Sequence, residues 1–600
     1  MSNSQSSKVE QGREKYFFRA SAEDFKKIPG SPIAYSASNG VRHLFSHGVL
    51  SSYADTRLGM ATADNNRFLR FWHEVSHIGI CFKANNRQDA VQSRLRWFPY
   101  QKGGEYRKWY GNAEYCVDWA NDGESIQNFK DAETGKVRSH NYNLDFIFRR
   151  GVTWNALTSG KTSARISENS LFDNAGSSLF VKSGVSAEAV MGLVNSNVML
   201  AIFPLISPTL NYQPGDLSKL PAFFPDNLQA EIATVIDQAI EAERKDWDSY
   251  ETSWNFTSLP LLNPDHCKPT LKARYHSLRA CWREMALDMQ RLEQENNRIF
   301  IDAYGLQDEL TPDVPLNEIT LTCNPHYRYG GDKSEEELEA MLLADTMREL
   351  VSYAVGCMLG RYSLDKSGLI LANQGETLAE YLAQVPEPTF PADDDNVIPM
   401  MNAYGDSRDD DWFADDITKR FRQFLRVAFG EAHYDENLAF IEQALNVKGK
   451  RNYSLRDYFL GEFYADHVKR YKKRPIYWLF SSPKGSFNAL IYMHRYRPDT
   501  VSVVLKYLRD YREKLATEKE RQASVSINPA TSQGDKTRAL KEVDRLAKVL
   551  AELEDYERDV LYPKATEQIA IDLDDGVKVN YLKFGAALKK ITGLEAKDED

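Results

Sequence analysis

The sequence predicts a multidomain protein in which an α/β or β-rich front domain is followed by a mainly α-helical C-terminal region. The chain has 600 residues, too many for one compact core at roughly 100–200 residues per domain. Between about residues 16 and 221, short apolar and aromatic runs alternate with Gly, Asn and Asp, which is typical of strands joined by turns. From Asp226 onward, apolar residues recur at helical spacing instead.

The front segment contains four runs that we predict as strands and one that we predict as a helix. The strands are Ile78–Phe82, Leu95–Tyr100, Leu144–Phe148 and Ser178–Val181, and the helix is Ala187–Val198. Each strand run is short, apolar or aromatic, and bounded by turn-forming residues. A mixed α/β or mainly β domain follows from this pattern.

The rest of the chain is dominated by amphipathic patterns with charged, solvated faces. We predict helices over 226–250, 271–301, 335–359, 415–429, 452–473 and 500–556, the last interrupted around 524–534. The stretch 384–411 holds Asp393–Asp395 and Asp409–Asp411, which predicts an exposed acidic loop because like charges resist packing. The predicted organisation is a disordered leader (1–15), a front domain (16–225), a helical spacer (226–330) and a mainly helical C-terminal domain (331–600).

Net charge divides unevenly along the chain. The whole sequence has 75 Lys and Arg against 86 Asp and Glu, a net charge of −11. Residues 1–220 hold 26 Lys and Arg against 20 Asp and Glu, so they carry +6 and the remaining residues carry −17. A mildly basic front can accept a phosphate-bearing partner, although an ordinary solvated surface accounts for this charge equally well.

Cysteine usage and hydropathy favour a cytoplasmic protein. The six cysteines are scattered with no Cys-x-x-Cys pair, so neither a disulfide framework nor a Cys-rich metal site is expected. The segment 1–15 is polar, without the apolar core of a secretory signal, and no apolar run approaches the roughly 18 residues that span a bilayer. We therefore expect no membrane partner and no bound metal.

Several motifs that enzymes require are missing from the sequence. No Gly-x-Gly occurs, so no glycine-rich turn is available to a dinucleotide or to S-adenosylmethionine. Asn324–Tyr327 resembles the Asn-Pro-Pro-Tyr turn of amino-methylating DNA enzymes, but His326 replaces the second proline. The acidic residues Asp572, Asp574 and Asp575 are interpreted as a turn in preference to a cation site.

Cations and aromatic residues are dense near the predicted turns of the front domain. Long cationic side chains neutralise phosphates, while Arg, Lys, Ser and Thr can also read base edges. The candidate DNA-binding residues are Arg67, Arg70, Arg96, Trp97, Lys102, Arg107, Lys108, Arg149, Arg150, Thr153, Trp154, Ser163 and Arg165. A second basic patch comprises Lys469, Arg470, Lys472, Lys473 and Arg474. Two alternatives stay open: the tryptophans can be core residues, and the second patch can be the solvated face of a helix that leads into a buried strand.

Several blocks of the chain resemble a known family in the expected order. They are Arg57–Arg70, Arg96–Asn112, Gly151–Trp154, Ser163–Arg165 and Ser207–Asp216 in the front, and Gly360–Asp365, Lys473–Phe480 and Ile571–Tyr581 in the rear. The front blocks resemble the target-recognition domain of large adenine-specific DNA methyltransferases. The rear blocks are similar to the subgroup that serves bacteriophage-exclusion (BREX) phage defence. The resemblance extends from about residue 16 to residue 581.

The resemblance implies a target-recognition domain followed by a mainly helical C-terminal region. Members are S-adenosylmethionine-dependent, site-specific enzymes that methylate the adenine N6 of a short asymmetric site and so mark host DNA, as in restriction–modification. By analogy, Thr153, Trp154, Arg165, Asn211 and Gln213 lie in the blocks nearest double-stranded DNA. The family's cofactor loop and Asn-Pro-Pro-Tyr turn would lie upstream of residue 1, so we expect this chain to bind no cofactor, to hold no catalytic residue and to be inactive alone.

Three functions stay open at this point. The first is the DNA-specificity portion of a BREX adenine methyltransferase. The second is a protein-interaction scaffold that docks other BREX components, or whose basic face binds a phage DNA mimic. The third is the specificity half of a split methyltransferase, completed by a second chain that carries the missing methyltransferase domain.

Overall fold

A computed structural model of the chain describes residues 37–595 apart from 47, 157–160, 208–210, 225, 403 and 405–411, together with residues 23 and 28. The predicted leader (1–15) and the triplet Asp409–Asp411 lie outside the described residues. The predicted fold class is confirmed, because an α/β region with two sheets precedes a mainly helical region.

Strands of the front region form two four-stranded sheets in the described part of the chain. The strands are β1 (Ala54–Arg57), β2 (Leu69–Phe71), β3 (Trp97–Gln101), β4 (Tyr115–Asp118), β5 (Gly151–Trp154), β6 (Ala164–Ser167), β7 (Leu171–Phe172) and β8 (Ser178–Val181). The first sheet has the order β1-β8-β5-β6 and is antiparallel throughout. The second sheet has the order β2-β4-β3-β7, with β3 and β7 parallel.

Two of the four predicted strands are confirmed. The segment Leu95–Tyr100 corresponds to β3, and Ser178–Val181 is β8. Every residue of β3 is buried, as are the first three residues of β8. Strands that are covered on both faces carry near-continuous apolar runs, which explains why these short segments stood out in the sequence.

The other two predicted strands are wrong. Ile78–Phe82 overlaps a 3-10 turn at His77–Gly79 and makes one isolated bridge, from Ile80 to Trp97. Leu144–Phe148 begins with a 3-10 turn, because Asn143 adopts a left-handed φ of 55° that redirects the chain. Apolar runs this short do not distinguish a strand from a buried turn.

Seven short helices precede, separate or follow the strands of the described front region. They are Asn39–Leu44, Asn65–Phe68, Arg87–Ser93, Ala120–Gln127, Ala187–Asn195, Asn197–Ile206 and Pro214–Leu217. The predicted helix Ala187–Val198 is bent at Ser196, whose side chain accepts a hydrogen bond from the backbone of Met199 and starts a new helix. No single described helix has the length and apolarity to cross a membrane, and only this bent pair, taken together, meets that test.

Long helices dominate the rest of the chain. The helices are Asp226–Trp247, Leu271–Tyr304, Pro325–Tyr329, Glu335–Met358, Leu378–Gln384, Ile417–Phe429, Tyr434–Leu445, Leu455–Tyr458, Tyr464–Arg470, Thr500–Ile527, Gln533–Tyr556, Tyr562–Glu567 and Gly576–Leu582. They confirm most of the predicted helices, including the break near 524–534. The predicted helix 452–473 is two helices joined by the π-helical turn Phe459–Phe463.

A small antiparallel sheet lies among these helices. Its strands are β9 (Ile398–Pro399), β10 (Tyr477–Ser481) and β11 (Asn488–Tyr492), in the order β10-β11-β9. The prediction of an exposed acidic loop over Asp393–Asp395 holds for Asp394 and Asp395, which are exposed. It is wrong for Asp393, whose side chain is buried and accepts from the backbone N–H of Val397 at 3.2 Å. Burial raises the pKa of Asp393 to about 7.

One apolar core joins the first front sheet to the helical region. Trp154, Leu193, Met289 and Leu350 all belong to this cluster. The second front sheet has a separate core, which includes Phe98. A third apolar cluster around Trp97 and Cys116 of the second sheet packs against Trp254 and Leu369 of the rear. Polar contacts between the second sheet and the rear lie beside the candidate site.

Candidate nucleic-acid interface

A cleft of about 700 Å³ lies between the second front sheet and two rear segments, the turn at 471–474 and the chain at 574–579. We call it the cationic cleft. Its cationic lining residues are Arg70, Lys102, Lys472, Lys473, Arg474 and Lys578, against the acidic Glu74, Asp575 and Glu595. The structure therefore brings together five residues from the two predicted basic groups, which are separated by almost 400 positions in the sequence.

Unusual backbone geometry places two of these lysines at the rim of the cleft. Lys472 and Lys473 have φ angles of 48° and 62°, in the left-handed region. This conformation costs an ordinary L-residue roughly 1–2 kcal/mol. Backbone strain of this kind concentrates at functional sites, where the surrounding structure must hold it in place.

The turn at 471–474 is held against the front region. The ring of Tyr471 packs edge-on against His73 with 4.7 Å between centroids. The ammonium of Lys472 donates to Glu114 Oε1 at 2.7 Å. Both contacts join the rear of the chain to the second sheet, so the width of the cleft depends on them.

The other wall of the cleft is anchored by Asp574, which immediately precedes the lining residue Asp575. The indole of Trp97 donates from Nε1 to Asp574 Oδ1 at 2.7 Å, and Arg96 donates to Asp574 Oδ2 at 2.8 Å. Arg70 donates from Nε to the Asp574 carbonyl at 3.0 Å. Asp572, Asp574 and Asp575 were predicted to form a turn, and the structure confirms it. The Asp572 side chain accepts from the backbone N–H of Asp574 at the start of a 3-10 turn.

Arg107 and Lys108, predicted to contact DNA, lie inside the protein. Arg107 donates to Glu243 Oε2 at 2.8 Å, and Lys108 contacts Glu293. Although burial opposes both charges, the facing carboxylates outweigh it and raise the pKa of each cation. In this conformation the two side chains stabilise the junction between the front region and the helices.

Four other candidate residues are also enclosed. The Thr153 hydroxyl donates to the Gly176 carbonyl at 3.0 Å, and the Trp154 indole donates to the Tyr212 carbonyl at 2.9 Å. The Ser163 hydroxyl is buried as well. Burial lowers the pKa of Arg165 to about 10.

The remaining candidates lie at the surface, outside the cationic cleft. Arg67 stacks over Phe129 with 4.9 Å to the ring centroid. Arg149 and Arg150 are exposed, and so are Asn211 and Gln213. In the second patch, Lys469 is exposed, whereas Arg470 is partly buried beside Glu251 at 3.2 Å.

Lys578 is the lining cation that the sequence reasoning missed. Its ammonium donates to Asn66 Oδ1 at 2.9 Å and so joins the last helices to the front region. The block Ile571–Tyr581 had been singled out by resemblance, but nothing local in the sequence indicated that it approaches residue 66.

The described residues include no cluster of His, Cys, Asp and Glu side chains suited to a metal ion. The segment Asn324–Tyr327, which resembles a base-binding turn, forms the start of a short helix. The Asn324 amide is committed to the Leu316 and Ile319 carbonyls at 2.7 and 2.9 Å, and its oxygen accepts from the backbone N–H of His326. Its geometry is that of a helix cap.

Comparison with curated proteins identifies relatives along almost the entire chain. It is 36% identical over 596 residues to "Adenine-specific methyltransferase PglX" of Lacticaseibacillus casei (strain Zhang), and 37% identical over 594 residues to "Adenine-specific methyltransferase BrxX" of Escherichia coli O9:H4 (strain HS). The matches cover 97% and 95% of this chain but 46% of each relative, so the chain spans about half the length of the proteins it matches. No family model matches it. By sequence, the chain is a relative of the PglX and BrxX adenine-specific methyltransferases and corresponds to about half of their length.

Proposed function

We propose that this chain is the DNA-contacting, sequence-selecting portion of a site-specific N6-adenine DNA methyltransferase of a BREX phage-defence system, acting in the cytoplasm. The observation that carries the proposal is the convergence of six cationic residues in the cationic cleft. The names of the two relatives support the same conclusion, since both are adenine-specific methyltransferases.

In this proposal the cleft binds the phosphate backbone. Lys473 is exposed at its rim, and Lys102 and Lys578 are partly exposed on its walls. A lysine ammonium is a compact charge on a flexible stem, which suits contact with phosphates without base selection. The opposing Glu74 is buried, and its two oxygens accept from the backbone N–H groups of Phe71 and Val577 at 2.9 Å.

Sequence selection is assigned to exposed polar residues of the front region. Reading a base edge requires a side chain that can enter a groove. Arg67, Asn211 and Gln213 are exposed, and Gln213 already donates to Asn211. Thr153 and Arg165 are enclosed, and we assign them a supporting role beneath that surface.

Methyl-donor binding is assigned to residues other than these 600. The chain contains no Gly-x-Gly turn and no Pro-Pro pair. In the most similar local segment, the side-chain oxygen of Asn324 caps a helix by accepting from the backbone N–H of His326. In this proposal S-adenosylmethionine serves the complete enzyme. Purified chain incubated with labelled S-adenosylmethionine and DNA should transfer no methyl group, and transfer by this chain alone would refute the assignment.

The phosphate assignment is tested by the salt dependence of duplex binding. The variant Lys102→Gln, Lys473→Gln, Lys578→Gln is compared with a control that neutralises Lys272, Lys419 and Lys506, which are exposed elsewhere. Loss of three phosphate contacts should make the slope of log affinity against log salt shallower by about two to three. Equal slopes for the cleft variant and the parent, or an equal change in the control, would contradict the proposal.

A further inference from the structure

A second cavity lies on the rear region, beside the cationic cleft. It has a volume of about 860 Å³, and we call it the lysine groove. Six lysines line it: Lys469, Lys472, Lys473, Lys484, Lys589 and Lys590. None of its described lining residues is acidic. Lys472 is paired with Glu114 of the front region, whereas no carboxylate in the described part of the chain pairs with the other five.

The floor of the groove is apolar. Leu460, Val468, Leu479 and Ile591 lie between the lysines, with Phe459 beside them. Leu460 and Val468 retain partial exposure. Partly exposed aliphatic side chains enclosed by cations gain free energy when another apolar side chain covers them.

The walls of the groove are fixed by the surrounding backbone. The π-helical turn Phe459–Phe463 forms one wall, and such turns are frequent at functional sites. Lys484 lies in the β10–β11 hairpin turn, where its backbone N–H donates to Glu552 Oε1 at 2.7 Å. Lys589 donates from its backbone to the Leu479 carbonyl at 2.8 Å, along the edge of β10. A pocket whose walls are already hydrogen-bonded loses little entropy on binding.

We propose that the lysine groove binds an acidic peptide segment of another protein that carries aliphatic side chains. The carboxylates of the segment would pair with the lysines while its aliphatic side chains cover Leu460 and Val468. Lys472 and Lys473 line both this groove and the cationic cleft, whereas Lys469, Lys484, Lys589 and Lys590 line only the groove. The peptide proposal therefore rests on these four lysines and holds whether or not the cationic cleft binds DNA.

The apolar floor favours a peptide over DNA. A duplex is a convex rod that presents phosphates to a surface, so it would leave the partly exposed Leu460 and Val468 uncovered. Single-stranded nucleic acid is bound by stacking bases on aromatic faces, whereas the exposed part of this floor is aliphatic. A peptide in which acidic and aliphatic side chains alternate can pair with the lysines of the rim and cover the apolar floor at the same time.

The test uses the full 600-residue chain and two fluorescent synthetic peptides of equal length and charge. In one peptide Glu alternates with Leu, and in the other Glu alternates with Ser. We expect the Glu-Leu peptide to bind at least about tenfold more tightly, because only it can cover the floor. Equal binding of both peptides, or no binding of the Glu-Leu peptide, would overturn the proposal.

Variants of the rim and floor locate the binding site. Lys589→Glu with Lys590→Glu should abolish most of the peptide affinity, and Leu460→Ser should remove the preference for the Glu-Leu peptide. The control, Lys419→Glu with Lys506→Glu, changes the net charge equally at exposed positions outside the groove. An equal loss in the control would overturn the proposal, as would a loss of duplex affinity in the rim variant as large as its loss of peptide affinity. The two-peptide comparison on the parent chain remains decisive if a variant fails to fold.

Discussion

The indole Nε1 of Trp97 donates a 2.7 Å hydrogen bond to Oδ1 of Asp574, a residue 477 positions further along the chain. Trp97 is fully buried in the second front sheet, and Asp574 belongs to the short turn before the last helices. The same carboxylate binds Arg96. The end of the chain thus closes one wall of the cationic cleft, and the cleft exists only when both regions are in place.

Removing this contact should destabilise the protein and weaken DNA binding. Asp574→Ala leaves the buried Trp97 N–H without an acceptor, which we expect to cost about 1–3 kcal/mol of unfolding free energy. Asp574→Asn keeps an acceptor oxygen and should cost less. Urea unfolding measures both, with Asp555→Ala in an exposed ion pair as the control. Equal costs for Asp574→Ala and the control would show that the contact does not hold the cleft.

Because Lys108 and Glu293 form a buried ion pair, we expect the effects of their substitutions on the unfolding free energy to be strongly non-additive. Glu293→Gln leaves the Lys108 ammonium buried without its counter-charge, and should cost about 3–5 kcal/mol. Lys108→Met combined with Glu293→Gln should cost much less than the sum of the single changes. A double-mutant cycle by urea unfolding measures the coupling, with the exposed pair Arg538 and Asp535 as the reference at no more than about 1 kcal/mol. Additive single changes would mean that Lys108 is not committed to Glu293.

Acid should destabilise the fold through His494. Burial and the nearby Arg361 lower the pKa of His494 to about 3, from an ordinary 6.5. The folded state therefore binds fewer protons than the unfolded state, so this contribution to stability is complete above pH 6.5 and is lost as pH falls toward 3. Each such group contributes a slope of up to about 1.4 kcal/mol per pH unit.

The variant His494→Gln isolates the contribution of His494 to the pH dependence of stability. Unfolding free energies of parent and variant are measured at about pH 7 and about pH 5, where the carboxylate contributions are common to both proteins. The parent should lose about 2 kcal/mol more than the variant across this interval. If parent and variant lose the same unfolding free energy between these pH values, the acid sensitivity arises from groups other than His494.

The left-handed backbone of Lys473 costs folding free energy, whereas its ammonium is proposed to bind DNA. We therefore expect some substitutions at this position to stabilise the fold and weaken DNA binding. Lys473→Gly relieves the positive φ of 62° and should raise the unfolding free energy by about 1 kcal/mol while weakening DNA binding. Lys473→Ala removes the charge but retains the strain, so it should weaken binding without stabilising the fold. If the glycine variant is no more stable than the alanine variant, the turn is not strained.

The sequence predicted the long helices because apolar spacing is a local property. The break between Thr500–Ile527 and Gln533–Tyr556 was visible for the same reason. The cleft was only partly predictable. Lys102 and Lys108 are both lysines in the same basic, aromatic stretch of sequence, so the sequence does not distinguish them. Lys108 is held in the interior by its ion pair with Glu293, which lies 185 residues away. Pairings across such distances leave no local signal, so basic residues that hold the interior together could not be separated from those at the surface.

Lysine acetylation footprinting with and without duplex DNA tests the central claim most directly. If the cationic cleft faces DNA, mass spectrometry should show slower acetylation of Lys102, Lys473 and Lys578 in the complex, with no change at Lys419 and Lys506. Protection confined to lysines outside the cleft, with Lys102, Lys473 and Lys578 reacting as in the free protein, would contradict the account.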